Sequence, residues 1–182
     1  MADFDRAYNV LERWEGGYAN IKEDAGGETY KGITRKNYPN MSFWKKIDRL
    51  KKEKLDAQSI NMILSNDLNT VTEIKDFYKK NYWDIFEGDN IAHQAFAENV
   101  FLLSVNAGVK RGLKIAQTAC GFFGKDIDGK YGPKTKMMFK KAGENEVNLF
   151  NEIEINFYKS LAEKKPSNKI FLKGWLRRAN AV

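Results

Sequence analysis

Phe4, Ala7, Tyr8, Leu11 and Trp14 recur at steps of three and four, so the first segment predicts a helix with one apolar face. Asp3 stands where an N-cap belongs, and Gly16-Gly17 is expected to stop the helix in the left-handed conformation that glycine adopts readily. Glu15 then falls on the last helical residue or just past it. Residues 18–34 break the period: they are rich in Gly, Asp and Thr, and 29–33 suit a short strand, so a small β-hairpin or loop insert is predicted. Thr34 is placed to cap the next segment. Helical spacing resumes with Phe43, Trp44, Ile47 and Leu50, then with a helix capped by Asp56 that turns Ile60, Ile63 and Leu64 inward. A third helix is predicted over 68–83, carrying Val71, Ile74, Phe77 and Tyr78.

The second half is patterned differently. Asp89-Asn90 is expected to open a helix over 91–107 that is apolar nearly all round, the mark of a centrally buried helix, with Gly108 ending it. A further helix is predicted over 110–120. The run from Asp126 to Pro133 is dense in turn formers, and Pro133 suits the first turn of the next helix. A long helix over 145–163 and a short one over 170–179 complete a mostly α (α+β) chain.

Composition narrows the function classes. About two residues in five are hydrophobic, enough for a core. One cysteine excludes an intrachain disulfide, and a single histidine with no CxxC or HExxH spacing argues against zinc. Asp126 and Asp128 lack the further oxygen ligands and the distal Glu of a calcium loop. The net charge of +7 favours polyanions, but the lysines are spread along the chain and no nucleic-acid reading motif is present. No apolar run is long enough to span a bilayer, and the first residues lack the pattern of a signal peptide. The expectation is a chain made in the cytoplasm without stable membrane insertion. Were it to act on a cell wall, a holin or an export route would have to bring it there.

The candidate chemistry lies in Glu15-Gly16-Gly17-Tyr18 followed by Asp24-Ala25-Gly26-Gly27-Glu28-Thr29-Tyr30-Lys31-Gly32-Ile33-Thr34. The negative end of a helix dipole and flanking Trp14 and Tyr18 would keep Glu15 protonated, as a general acid requires. Asp24, on a polar loop, would stay ionised. Such a pair can hydrolyse a glycoside: one carboxyl protonates the leaving oxygen, and the other stabilises the cation or activates water. Read alone, the same two residues also suit a solvated helix end and a turn former.

These residues resemble the motif of glycoside hydrolase family 108, lysozyme-like N-acetylmuramidases also known as secretion activators. That motif pairs E-G-G-Y with a downstream D-x-G-G-x-T-x-x-G-I-T, matched here by Glu15 to Tyr18 and by Asp24, Gly26, Gly27, Thr29, Gly32, Ile33 and Thr34. Tyr30-Lys31 stand where the family has a pair like Asn-Phe. Tyr82-Trp83-Asp84 and Asn106-Ala107-Gly108 resemble further family elements. Gln117, the run from Asp128 to Thr135, and Phe171, Gly174, Trp175 and Arg178 resemble its C-terminal peptidoglycan-binding segment.

The resemblance implies a lysozyme-like fold with a catalytic region over 1–90 and a peptidoglycan-binding region over 91–182, packed as one unit around a cleft. Glu15 is implied as the catalytic glutamate, Asp24 as the second polar group, and peptidoglycan as the partner, with no cofactor or metal. Tyr18, Thr29, Tyr30 and Asn106 are the substrate-binding candidates. Thr29 and Tyr30 compete for the hairpin's hydroxyl position, and Asn106 suits either a helix-end cap or a sugar contact. Trp83 and Trp175 are further stacking candidates, Trp175 reading better as structural. The function expected is a muramidase. The alternative is a non-catalytic wall-binding module assisting secretion.

Overall fold

The structure, a computed structural model, describes residues 1–20 and 27–179. Among them the elements run α1 (Phe4–Glu12), β1 (Ala19–Asn20), β2 (Glu28–Tyr30), β3 (Ile33–Thr34), α2 (Phe43–Lys52), α3 (Ala57–Ser65), α4 (Leu68–Tyr78), α5 (Gln94–Ala107), α6 (Val109–Ala119), α7 (Pro133–Lys141), α8 (Glu144–Lys164) and α9 (Lys169–Ala179). The strands form one antiparallel sheet in the order β1-β2-β3. The chain is therefore mostly helical with a small β insert, as its periodicity predicts. It divides into two compact units, residues 8–79 and residues 1–7 with 80–182.

In the unit of residues 8–79, α2 buries Phe43, Trp44, Ile47 and Leu50 along one stripe. Its first turn is closed from a distance: Ser42 and Phe43 amides donate to the Glu73 carboxylate at 2.6 and 3.3 Å, and the Ser42 hydroxyl donates at 2.7 Å. Asp56 caps α3 through the Ser59 amide, as expected. Asp67 caps α4 through Thr70 and also takes Lys46, and these hydrogen bonds, Lys46 first, lower its carboxyl to about 2. α4 is shorter than predicted. It ends at Tyr78 and widens into a π-type turn over Lys79–Trp83.

In the other unit, Asp3 caps α1 as predicted, accepting from the Arg6 amide at 3.0 Å. Trp83 is fully buried among Phe4, Phe86 and Phe101, with its indole N–H on Asp89 at 2.8 Å. This corrects the stacking role expected of it. α5 starts three residues later than predicted, because Ile91 gives its carbonyl to the Ala2 amide at 2.7 Å and Ile91 and His93 are extended on either side of a bend at Ala92. α5 is nonetheless the buried helix foreseen, and Gly108 ends it at φ +89°. Pro133 opens α7. α8 turns Val147, Phe150, Glu154, Tyr158 and Ala162 inward, and α5, α6 and α9 pack against it.

Gln117 organises the turn before α7. Its buried amide donates to Asp128 at 2.9 Å, the Lys130 carbonyl at 3.1 Å and Thr135 at 3.1 Å, and its oxygen accepts the Gly129 amide at 2.9 Å. Gln117→Ala strands these groups, so a denaturant melt should show a loss of about 2–3 kcal/mol.

Candidate active site

Glu15 stands three residues beyond the end of α1, its amide still on the Leu11 carbonyl at 3.2 Å. Neither Gly16 nor Gly17 takes the left-handed conformation expected of a glycine stop. The helix closes instead through the turn at Arg13-Trp14, and Gly17 serves close approach, since a Cβ there would lie 2.5 Å from the Asn61 side-chain oxygen. The half-buried Glu15 carboxylate meets the β2–β3 turn. Tyr30 pairs with Ile33, and Lys31 and Gly32 between them have φ of +47° and +74°, as a two-residue type I′ turn requires. A Cβ on Gly32 would lie 2.3 Å from Glu15 Oε2 and 2.7 Å from the Tyr78 hydroxyl. Only glycine allows the carboxylate, the turn and the tyrosine to meet here.

The turn is held from two sides. Tyr78 donates to the Lys31 carbonyl at 2.8 Å, and Lys31 Nζ reaches Glu12 at 3.2 Å. Tyr8 packs on Tyr78 with ring centroids 6.0 Å apart. Burial, then the negative charges of Glu12, Tyr30 and Glu15, push the Tyr8 hydroxyl far above its ordinary pKa, so it remains neutral beside Glu15.

A second cluster fixes the hairpin to α2. Arg35 grips Asp48 with both terminal nitrogens at 2.9 and 2.8 Å, places Nε 2.5 Å from Glu28, and lies 4.7 Å over the Trp44 ring. The Arg35 hydrogen bond holds the Asp48 carboxyl below its ordinary range. Glu28 also accepts from Lys51 at 3.0 Å and from the Tyr18 hydroxyl at 2.5 Å. Burial and the Glu28 contact raise the Tyr18 pKa. A bidentate arginine pair of this kind sets geometry as well as energy.

The predicted site residues therefore separate. Tyr18 is half-buried at the hairpin's edge. Thr29 pairs with Ala19 and Thr34 and faces away from Tyr30. Tyr30 is 1% exposed and packs edge-on to Phe43 at 5.5 Å, so it is a core residue with no face for a sugar, a correction that follows from strand alternation. Asp24 lies outside the described residues. Tyr78, Glu28 and Arg35 received no site role from the sequence. Tyr78 reads there only as an inward position of a helix, and no periodicity links Glu28, Arg35 and Asp48. Among the described residues, no three His, Cys, Asp or Glu side chains gather to hold a metal ion.

Asn106 belongs to the unit containing residues 80–182. Its side-chain amide donates to the Tyr158 hydroxyl at 2.5 Å and accepts from Arg178 at 3.0 Å. Tyr158 in turn hydrogen-bonds Glu154, whose carboxyl burial raises from 4.5 to about 7. A carboxyl with a raised folded-state value favours the fold most when protonated, so stability falls as pH rises from about 4.5 to about 7. Urea melts at pH 5 and pH 8 should show this slope. Glu154→Gln should flatten it and exceed the wild type at pH 8 by no more than about 3 kcal/mol.

Comparison with known proteins adds to this geometry. The family model described as Glycosyl hydrolase 108 matches residues 8–108, and the one described as "Predicted Peptidoglycan domain" matches residues 111–180. Among solved structures, SagA of Brucella abortus is similar, with a TM-score of 0.64 and 24% identity over 97% of this chain and 88% of that one. The likeness is one of fold. No curated protein matches the chain.

Proposed function

Because the chain belongs to the glycosyl hydrolase 108 family, we propose that it is an N-acetylmuramidase cutting the glycan strand of peptidoglycan, with Glu15 as the general acid. The observation that carries this reading is the Glu15 carboxylate seated on Gly32, at a hairpin turn fixed by Tyr78 and braced by Arg35. Glu15 gives its proton to the glycosidic oxygen as the bond to the anomeric carbon breaks. Acid assistance of this kind contributes about 10²–10⁴ in rate. Asp24 is the second polar group of the proposal, stabilising the cation or activating water. Tyr18 and Thr29 border the sugar, and Asn106 is assigned to glycan contact within the unit of residues 80–182. The regions 1–90 and 91–182 divide catalysis from wall binding in this reading. The chain reaches the wall through a holin or an export route.

The test is digestion of purified walls, with released fragments identified by mass spectrometry. New reducing ends at N-acetylmuramic acid are expected. Reducing ends at N-acetylglucosamine would replace the muramidase by a glucosaminidase. Walls that bind protein without any release would favour the second reading, a non-catalytic wall-binding module, to which the peptidoglycan-domain match at residues 111–180 points.

A further inference from the structure

α6 and α8 line a groove. From α6 come Arg111, Lys114, Ile115 and Thr118, at spacings of three, four and seven. From α8 come Ile153, Asn156, Phe157 and Ser160, at the same spacings. Each set is a single helix face, so each helix contributes one wall, and Ile127 joins the lining from outside both. The groove is shallow and open to solvent, with about 370 Å³ of accessible space, within the roughly 300–1,000 Å³ of small-ligand sites. Its floor is apolar through Ile115, Ile153 and Phe157, and its rim carries the Thr118 and Ser160 hydroxyls and the Asn156 amide.

One end is strongly positive. A basin of about 260 Å³ lined by Ala107, Lys110, Arg111 and Lys114 adjoins the groove, sharing Arg111 and Lys114 with it. Among the described residues, no carboxylate pairs with Lys110, Arg111 or Lys114. The Arg111 guanidinium is steadied 4.8 Å over the Phe157 ring, which leaves its edge N–H groups for an incoming anion. The occupant that fits has small apolar side chains along its length and free carboxylates at the basic end.

We propose that this groove binds a short acidic peptide built of alanine-sized residues, the chemistry of the wall's peptide stem. It thereby holds the peptide of the polymer whose glycan the other unit addresses. The proposal rests on the wall-directed reading of the chain, but its test does not depend on glycan cleavage. The full chain is titrated calorimetrically with a synthetic, sugar-free, N-acetylated tetrapeptide of alanine and glutamate bearing free carboxylates, and with the same peptide amidated. Binding of the acid form is expected, weakened about tenfold by amidation or by Lys114→Glu. Ser160→Phe, which fills the groove from its rim, should weaken it similarly, with an unchanged melting curve to show that the variant folds. Equal affinity for the amidated peptide, indifference to both substitutions, or no binding to the wild type would overturn the proposal. Displacement by equimolar inorganic phosphate or a short oligonucleotide would also overturn it, by reducing the site to a general anion patch. Peptide binding without glycan cleavage would sink the muramidase reading alone, and cleavage without peptide binding would sink this one alone.

Discussion

Glu15→Gln should reduce release of glycan fragments by about 10³-fold while leaving wall binding and the melting temperature near wild type. The substitution keeps the size and shape of the side chain and replaces one carboxyl oxygen by an NH2 that cannot act as the acid. Glu15 is half-buried against Gly32 and near Tyr8 and Tyr78, so an amide fits the same space. The loss should fall on kcat rather than on KM, since proton donation matters only as the glycosidic bond breaks. Steady-state rates on soluble wall fragments check this. A Glu15→Gln protein with a tenth or more of wild-type turnover would remove Glu15 from the acid role.

The second large effect is expected at a residue with no side chain. Gly32→Val places a branched Cβ where Glu15 Oε2 would be 2.3 Å away and the Tyr78 hydroxyl 2.7 Å away, and it does so at φ +74°. Left-handed backbone is costly for a β-branched residue, and the turn cannot relax without breaking the Tyr30–Ile33 pairing. Stability should fall by about 2–4 kcal/mol. At a temperature where the variant is still folded, cleavage should fall by about 10²-fold or more, because displacing a reacting group by an ångström is that expensive. Thermal melts and rates measured together separate the two losses. Full activity in a folded Gly32→Val protein would mean that the contact between Glu15 and the turn has no part in the chemistry.

The two halves of the site are unequally legible in the chain. Glu15 is marked by local features, an apolar helix ending in a polar, glycine-rich segment, although the helix itself ends three residues before it. The caps at Asp3 and Asp56, Gly108 closing α5 and Pro133 opening α7 form where the sequence places them. Each depends on interactions within a few residues, which local order encodes directly. The stop after α1 differs in mechanism from the one its glycines suggest, because Gly17 answers to Asn61, more than forty positions away, and not to its own backbone preference.

Tertiary structure decided the rest. Tyr30 and Trp83 are amphipathic aromatics whose sequence context suits a sugar or a core equally well. Strand alternation turns Tyr30 onto Phe43, and the widened turn after α4 delivers Trp83 among Phe4, Phe86 and Phe101. Tyr78 reaches the β2–β3 turn from a helix that begins 34 residues after β3 ends. Arg35 joins Glu28 to Asp48 only because β2 and α2 are packed side by side. Periodicity tells each residue which face of its element it occupies. Which other face it meets is set by the closing of long chain loops around a shared core, and that choice is not written in any local pattern.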